Sequence, residues 1–418
     1  MIRQKLAHVL LFAAVFLLPW QTRFIYAYLT IGGEPWEYGV LSLYVVEVLV
    51  VLAAALRGRP HLSAVLTLLP KHLFFLLGAL AMATSFSLRL PLALGVGLHV
   101  VAAIVFLLVL VDERTPVRAV AWTFCAGLVV PAALGWVQVL TGSSPASTAL
   151  GLAFQDAARA GVSVVELPAG RLLRAYGSFP HPNIFGGYLA VAVVVLGWLA
   201  WTGKRRDQWL ATVLASVFVS TLVVTFSRSA WLGLVTATIA LLAWMFHHKT
   251  RPTRTSLVAL VPVMAGAVTC IVFASALFVR FEASSRLETR SLVEREESLA
   301  GFPGVLRVNP FTGVGPGNYT QQLASLHPDQ SVWFYQPVHN TFLLFLAELG
   351  ILGVVGLVRL AYFTVQTIRP VLRRNPWSIV LLAVLLPPAF FDHYLWSLWP
   401  GLVLTVLCFA FVSRMGES

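Results

Sequence analysis

Charge is what this chain has least of. Asp, Glu, Lys and Arg together make up 11% of its 418 residues, where a soluble domain carries about 25%. So few charges cannot cover a water-facing surface, which leaves lipid to solvate much of the outside. Cysteine is nearly absent too. Cys125, Cys270 and Cys408 all fall inside apolar runs, with neither metal-ligand spacing nor a loop position that suits a disulfide, and they read as small core or lipid-facing residues. The apolar runs do not alternate, as the strands of a membrane barrel would. Helices of roughly 20 apolar residues are the other way across a bilayer. No Asp-rich motif for Mg²⁺ or Mn²⁺ occurs, so no metal and no cofactor is expected, and no carboxylate pair of the glycosidase type stands out. The one excess is positive, a formal net charge of +12. In so apolar a chain it points to Lys and Arg flanking membrane spans and to anionic lipid, with no nucleic acid.

What the chain does have is apolar sequence, 58% of its residues. The expected fold is all-α: a single polytopic membrane domain over 1–418 with about twelve transmembrane helices. The spans are expected near 5–20, 39–56, 72–87, 91–111, 119–140, 184–202, 208–226, 229–247, 256–279, 341–358, 377–391 and 394–413. Leu6 to Trp20 lacks a small-residue cleavage site and runs into Gln21-Thr22-Arg23, so it reads as a retained helix. Place the N-terminus, with Arg3 and Lys5, inside. The even-numbered connections then hold Arg57/Arg59/Lys71, Arg114/Arg118, Lys204/Arg205/Arg206, Lys249/Arg251/Arg254 and Arg369/Arg373/Arg374. The short odd ones hold Arg23, Arg89 and Arg228. This positive-inside pattern puts both termini in the cytoplasm. Two long segments, 141–183 and 280–340, remain as loops on the other side. The second is amphipathic around Ser285–Leu299 and is expected to be partly helical. Long connections of this kind are usually functional or disordered.

The unusual groups gather on that same side. Arg171, Arg174 and His181 lie in Arg171-Leu-Leu-Arg-Ala-Tyr-Gly-Ser-Phe-Pro-His-Pro-Asn183, just ahead of a span. Arg228 sits in Thr225-Phe-Ser-Arg-Ser229, a polar break between two apolar runs. An arginine at that depth faces a cavity or an anionic partner; the plainer reading is a side chain snorkelling to lipid phosphate, which needs no flanking serine pair, whereas here Ser227 and Ser229 add hydrogen bonding. Gly313-Val-Gly-Pro-Gly-Asn318 is glycine-rich but lacks the lysine of a nucleotide loop, and reads equally as a tight turn. Gln336-Pro-Val-His-Asn340 leads into the tenth span. His339 at a helix N-terminus is held neutral by the dipole, which suits a general base, although a capping histidine fits the spacing as well. Glu348, deeper in that span, either orients a base or bonds another helix, and Glu47 in the second span raises the same question. Asp392-His393 reads as an ordinary polar turn. Arginines gathered with a histidine suggest a phosphorylated, lipid-linked ligand, because guanidinium groups bind phosphate oxygens as a fork.

These residues resemble the O-antigen ligase and polymerase superfamily of bacterial cell envelopes. The matching pieces are Arg174-Ala-Tyr-Gly-Ser-Phe-Pro-His-Pro-Asn183, Thr225-Phe-Ser-Arg-Ser229, Asn309-Pro-Phe-Thr-Gly-Val-Gly-Pro-Gly-Asn318, and His339-Asn340 followed by Glu348-Leu-Gly350. Their order and the large loop before the His-Asn helix match as well. The resemblance covers about 170–360. Before that, only hydropathy and helix number agree. It implies a glycosyltransferase of the bacterial inner membrane that faces the periplasm and works without a metal. Its donor would be an undecaprenyl diphosphate-linked glycan. Its acceptor would be lipid A–core for a ligase or a second lipid-linked repeat for a polymerase. By motif, Arg174 and Arg228 would bind the diphosphate, with a further contact from Arg286 or Arg290. His339 would activate the acceptor hydroxyl, supported by Asn340, Glu348, His181, Asn183 and Ser227. A flippase or transporter of an anionic lipid is the alternative from another class. It would need inverted repeats or broken helices at corresponding positions, and the sequence offers neither.

Overall fold

The computed structural model describes residues 2–63, 66–250, 260–282, 286–372 and 375–415. Arg251, Arg254, Ser285, Arg373 and Arg374 lie outside the described residues. The first half runs α1 (Ile2–Leu17), the strands β1 (Arg23–Ile31) and β2 (Glu34–Tyr44), then α2 (Val45–Arg57), α3 (Leu69–Ser85), α4 (Leu90–Val111), α5 (Val117–Gly127) and α6 (Val129–Thr141). Short strands β3 (Ser143–Ser144), β4 (Gln155–Asp156), β5 (Val164–Leu167) and β6 (Gly170–Leu173) come next. Then follow α7 (Pro182–Thr202), α8 (Arg205–Val224), α9 (Arg228–His247), α10 (Leu260–Val272), α11 (Ala274–Glu282), α12 (Arg286–Val308) and α13 (Tyr319–Leu326). The chain closes with α14 (Thr341–Leu372), α15 (Trp377–Phe391), α16 (Tyr394–Ser397) and α17 (Trp399–Arg414).

The protein is mostly helical, and each expected span holds helix. Among the described residues, six helical stretches are long and apolar enough to cross a membrane: α4, the continuous run Val117–Thr141, α7, α8, α9 and α14 as far as Thr367. The pair α10 and α11, bent by 80°, makes a seventh if it counts as one span. Helices α3, α15 and α17 are apolar but shorter.

Residues 39–44 correct the expected second span. They belong to a β-hairpin in which Arg23 lies opposite Tyr44 and Ile31 opposite Glu34. Gly32 and Gly33 form its two-residue turn, both at positive φ (60° and 86°), as the tightest hairpin turns require. The flanking runs are rich in Tyr, Phe, Ile and Thr, the residues that favour strands.

Helix α7 is the centre of the bundle, with 83% of its apolar window buried. It packs on α8, α9 and α15. Small residues permit the close approach that drives helix association in lipid: a Cβ on Gly187 would run into the Tyr394 hydroxyl. At the opposite end from His339, Arg414 donates to the carbonyls of Asp112 (2.7 Å) and Thr115 (2.8 Å). The Asp112 carboxylate pairs with Arg114 at 2.5 Å, so the end of α17 is fastened to the α4–α5 connection.

The two glycine motifs are one interlocked unit. Helix α14 breaks at Gly350 (φ 64°), which frees backbone groups that lipid could not satisfy. The glycine-rich segment satisfies them. Val314 N–H donates to Ala347 O and Gly315 N–H to Glu348 O, both at 3.0 Å, while Ile351 and Leu352 donate to Pro310 O (2.9 Å) and Phe311 O (3.1 Å). Backbone this close leaves no room for a Cβ at Gly313 or Gly350.

Gly350→Ala should therefore be costly. A left-handed conformation alone costs a non-glycine residue roughly 1–2 kcal/mol, and here the new methyl also meets the Phe311 carbonyl. Gly78→Ala, in α3 with open space around it, should stabilise by about 0.5–1 kcal/mol. Thermal denaturation in detergent would compare them, and equal midpoints for the two variants would refute the packing account.

Candidate functional site

The turn between α8 and α9 is a backbone device. Phe226 has φ 52°, a region that bulky residues rarely enter and that costs of order 1–3 kcal/mol. Its fully buried ring packs edge to face against Trp231 and Phe273, which holds the strained turn in place. The turned carbonyls then receive arginines. Arg174 Nε donates to Thr225 O at 2.8 Å and Arg280 Nε to Phe226 O at 3.3 Å. Arg228 Nη1 donates to the Arg280 carbonyl, also at 3.3 Å. Arg174 and Arg280 are buried. The turn thus gathers three guanidinium groups in fixed poses.

A hydrogen-bonded chain leads from the turn to a second cluster. Arg174 Nη2 donates to Asn183 Oδ1, and Asn183 Nδ2 donates to Asp392 Oδ2, both at 2.8 Å. His181 caps α7: its Nδ1 accepts from Asn183 N–H at 3.1 Å, so the other nitrogen carries the proton toward Ser163 Oγ, 3.1 Å away. The rings of His339 and His393 meet edge to face with centroids 5.3 Å apart. His393 Nδ1 lies 2.7 Å from Ser397 Oγ, and Nε2 lies 3.5 Å from the Tyr38 hydroxyl, which donates to Gln336 Oε1 at 3.2 Å.

Asn340 positions His339. Its Oδ1 accepts from Phe342 and Leu343 N–H, both at 3.0 Å, capping α14. Its Nδ2 reaches Phe390 O at 3.1 Å, and Thr341 Oγ1 reaches Asp392 O at 2.9 Å. His339 Nδ1 is shielded from solvent and has no hydrogen-bond partner among the described residues.

Burial dominates the electrostatics. It pushes the His339 imidazole below its ordinary value, against the upward pull of Asp392. Burial takes His393 down to about 4 and, with the Arg174 charge adding, His181 down to about 3. For Asp392, burial pushes upward, but the neighbouring His393, His339 and His181 rings and the Asn183 amide outweigh it and hold the carboxyl below its usual range. At neutral pH the site is thus an ionised carboxylate among neutral imidazoles, beside three guanidinium groups. It can take a proton at His339 and stabilise negative charge at the turn.

Residues 211–358 match the family model described as O-antigen ligase. Over this segment the chain is similar to the O-antigen ligase family. A comparison with curated proteins gave no match. The matched segment holds Arg228, Arg280 and His339. Arg174, His181 and Asn183 precede it, and Asp392 and His393 follow it. The hydrogen bonds above join all three stretches.

Not every residue singled out from the sequence arrives here. Glu348 accepts from Trp396 Nε1 at 2.8 Å and Tyr319 N–H at 3.4 Å, so it fastens the glycine-rich segment and α16 instead of orienting His339. Arg286 is exposed and pairs with Glu166 at 3.7 Å; Arg290, also exposed, pairs with Glu294 at 2.8 Å. Ser227 is buried in the arginine turn, 3.5 Å from Ser229 Oγ. The reading of Asp392-His393 as an ordinary polar turn is corrected, since both are buried in the histidine cluster. Arg280 escaped notice because it closes an apolar run, where an arginine reads as a span end. Glu47 pairs with His99 at 2.6 Å between α2 and α4. Among the described residues, no three His, Cys, Asp or Glu side chains group as metal ligands would.

Asn183→Leu keeps the size but removes both bridging bonds. It should lower stability by about 1–3 kcal/mol, the cost of leaving buried polar partners unmet. An unchanged thermal midpoint in detergent would mean that the bridge carries no weight.

Proposed function

We propose that this protein is an O-antigen ligase-type glycosyltransferase of the bacterial inner membrane, with its site facing the periplasm. The donor is an undecaprenyl diphosphate-linked glycan and the acceptor is a sugar hydroxyl of lipid A–core. One observation carries this reading: the chain Thr225–Arg174–Asn183–Asp392 couples a cluster of guanidinium groups to the carboxylate acting on His339. Leaving-group stabilisation and proton removal are thereby held in one frame. The family match over 211–358 supports the same reaction class.

The reaction is a single displacement. The acceptor oxygen forms a bond to the anomeric carbon as the bond from that carbon to the diphosphate oxygen breaks. The departing electron pair goes to the diphosphate, whose growing charge Arg174, Arg228 and Arg280 are preorganised to meet. The hydroxyl proton passes to His339, and Asp392 stabilises the imidazolium that forms. The anomeric centre inverts. Retained stereochemistry, or a covalent glycosyl-enzyme, would count against this course.

The direct test reconstitutes the purified protein with the lipid-linked donor and offers lipid A–core and a second lipid-linked repeat separately. Product on lipid A–core that disappears in His339→Ala is the expected result. A ladder of longer lipid-linked chains would make the protein a polymerase, and no product with either acceptor would send the reading toward lipid transport. Arg228→Lys keeps the charge but loses the fork, so transfer should drop by at least tenfold, about 1.4 kcal/mol in barrier, with the protein still folded; full activity would reduce Arg228 to a general positive charge.

The pH profile follows from the depressed His339. The base acts when neutral, and a lowered pKa keeps it neutral down to more acidic pH. The acid limb of kcat/KM should therefore fall below pH ~6.5, the ordinary histidine value. A limb above that value would assign the base elsewhere.

A further inference from the structure

A cavity lies near the histidine cluster. Its volume is about 1020 Å³, and its walls are the β1–β2 hairpin and the segment 324–336, so it is as roomy as the largest small-molecule sites, about 1,000 Å³. Tyr38 belongs to both places: it lines the cavity, while its hydroxyl lies 3.5 Å from His393 Nε2 and bonds Gln336. The cavity therefore reaches through Tyr38 to His393, whose ring meets that of the proposed base.

Its lining is aromatic and acidic. Tyr28, Trp36, Tyr38 and Trp333 contribute ring surface, and Glu34 and Glu37 contribute carboxylates, Glu37 with the Arg23 charge near it; among the described residues, none that lines the cavity is Lys, Arg or His. Trp36 is fixed by an Nε1 bond to Thr320 Oγ1 at 3.2 Å. Tyr28 and Trp333 stay exposed at 63% and 75%, which is wasteful for rings with no ligand to cover them. A pyranose has the matching amphipathic form, with C–H faces that lie on aromatic rings and hydroxyls that donate to carboxylates, which only accept. A phosphate offers neither and is repelled by Glu34 and Glu37.

We infer that this cavity holds the end of the acceptor glycan and selects an uncharged sugar unit. This rests on the transfer reaction proposed above. The arginine turn and the acidic cavity then sort the two substrates by charge: the diphosphate of the donor goes to one and the neutral acceptor end to the other, each disfavoured in the wrong place.

The test is equilibrium binding to the full-length protein in nanodiscs. The probes are core oligosaccharide released from lipopolysaccharide by mild acid, either still phosphorylated or dephosphorylated with hydrofluoric acid. The dephosphorylated form should bind more tightly. Trp333→Ala and Tyr28→Ala should each weaken it about tenfold, in the range of single aromatic contacts, and leave undecaprenyl diphosphate binding unchanged. Glu34→Gln/Glu37→Gln should narrow the gap between the two forms. Tighter binding of the phosphorylated form overturns the inference. So does wild-type binding by both aromatic variants, which would make Tyr28 and Trp333 membrane-interface anchors. The two readings fail separately. Binding that depends on Trp333, without transfer to any acceptor, would sink the reaction and keep the cavity; transfer indifferent to Trp333 would do the reverse.

Discussion

Asn183 uses both ends of its amide, and the site depends on that. Its oxygen takes a guanidinium hydrogen from Arg174 and its nitrogen gives one to Asp392, each at 2.8 Å. A cation and an anion separated by one amide neither collapse into a direct ion pair nor drift apart. A direct Arg174–Asp392 pair would quench both charges in a buried setting, where Coulomb attraction is strong. The amide conveys orientation without neutralisation. That is what a site needs if the guanidinium is to meet an incoming anion and the carboxylate is to act on an imidazole. Because Asn183 stands in the first turn of α7, the most buried of the six long apolar helices among the described residues, the spacing is set by a well-packed part of the bundle.

The second constraint is the break in α14. His339 and Asn340 stand at the head of that helix, while Gly350 interrupts it further along. An interrupted helix in an apolar setting needs partners for its freed backbone groups, and the 310–315 segment supplies them. Glu348 adds a side-chain tie to Tyr319 and Trp396. The elements that read as separate motifs along the chain thus brace one helix. In the proposed reaction they would hold the base in place, with ligand contact left to the two ends of the chain that Asn183 connects.

Much of this was legible in the sequence, for physical reasons that differ by element. Apolar run length located the helices, since lipid imposes one length rule on all of them. Arg174, Arg228, His181, Asn183 and His339 stood out because polar groups in so apolar a chain are few. The hairpin was missed because Val40 to Tyr44 is as apolar as the helix it leads into, and hydropathy averages over both; the Gly32-Gly33 turn was the available signal. Arg280 and Asp392 were underweighted for one shared reason. Each sits at the edge of an apolar run, where a charge looks like a boundary, and only the tertiary arrangement brings Arg280 onto Phe226 O and Asp392 onto Asn183. Arg286 and Arg290 stand in a polar helix, where nearby Glu166 and Glu294 engage them.

The strained Phe226 turn and the depressed histidines follow one logic. Each is unfavourable alone, by backbone conformation in one case and by desolvation of the charged form in the other, and each is held by packing around it. A flexible turn would let the three arginines relax toward separate partners, and an exposed His339 would carry a proton over more of the neutral range. Burial instead keeps the imidazole ready to accept a proton, with Asp392 close enough to stabilise it once charged. The stability lost at these positions is offset in the helix packing, so the apolar character that removes the chain from water is also what lets its few charges be held in place.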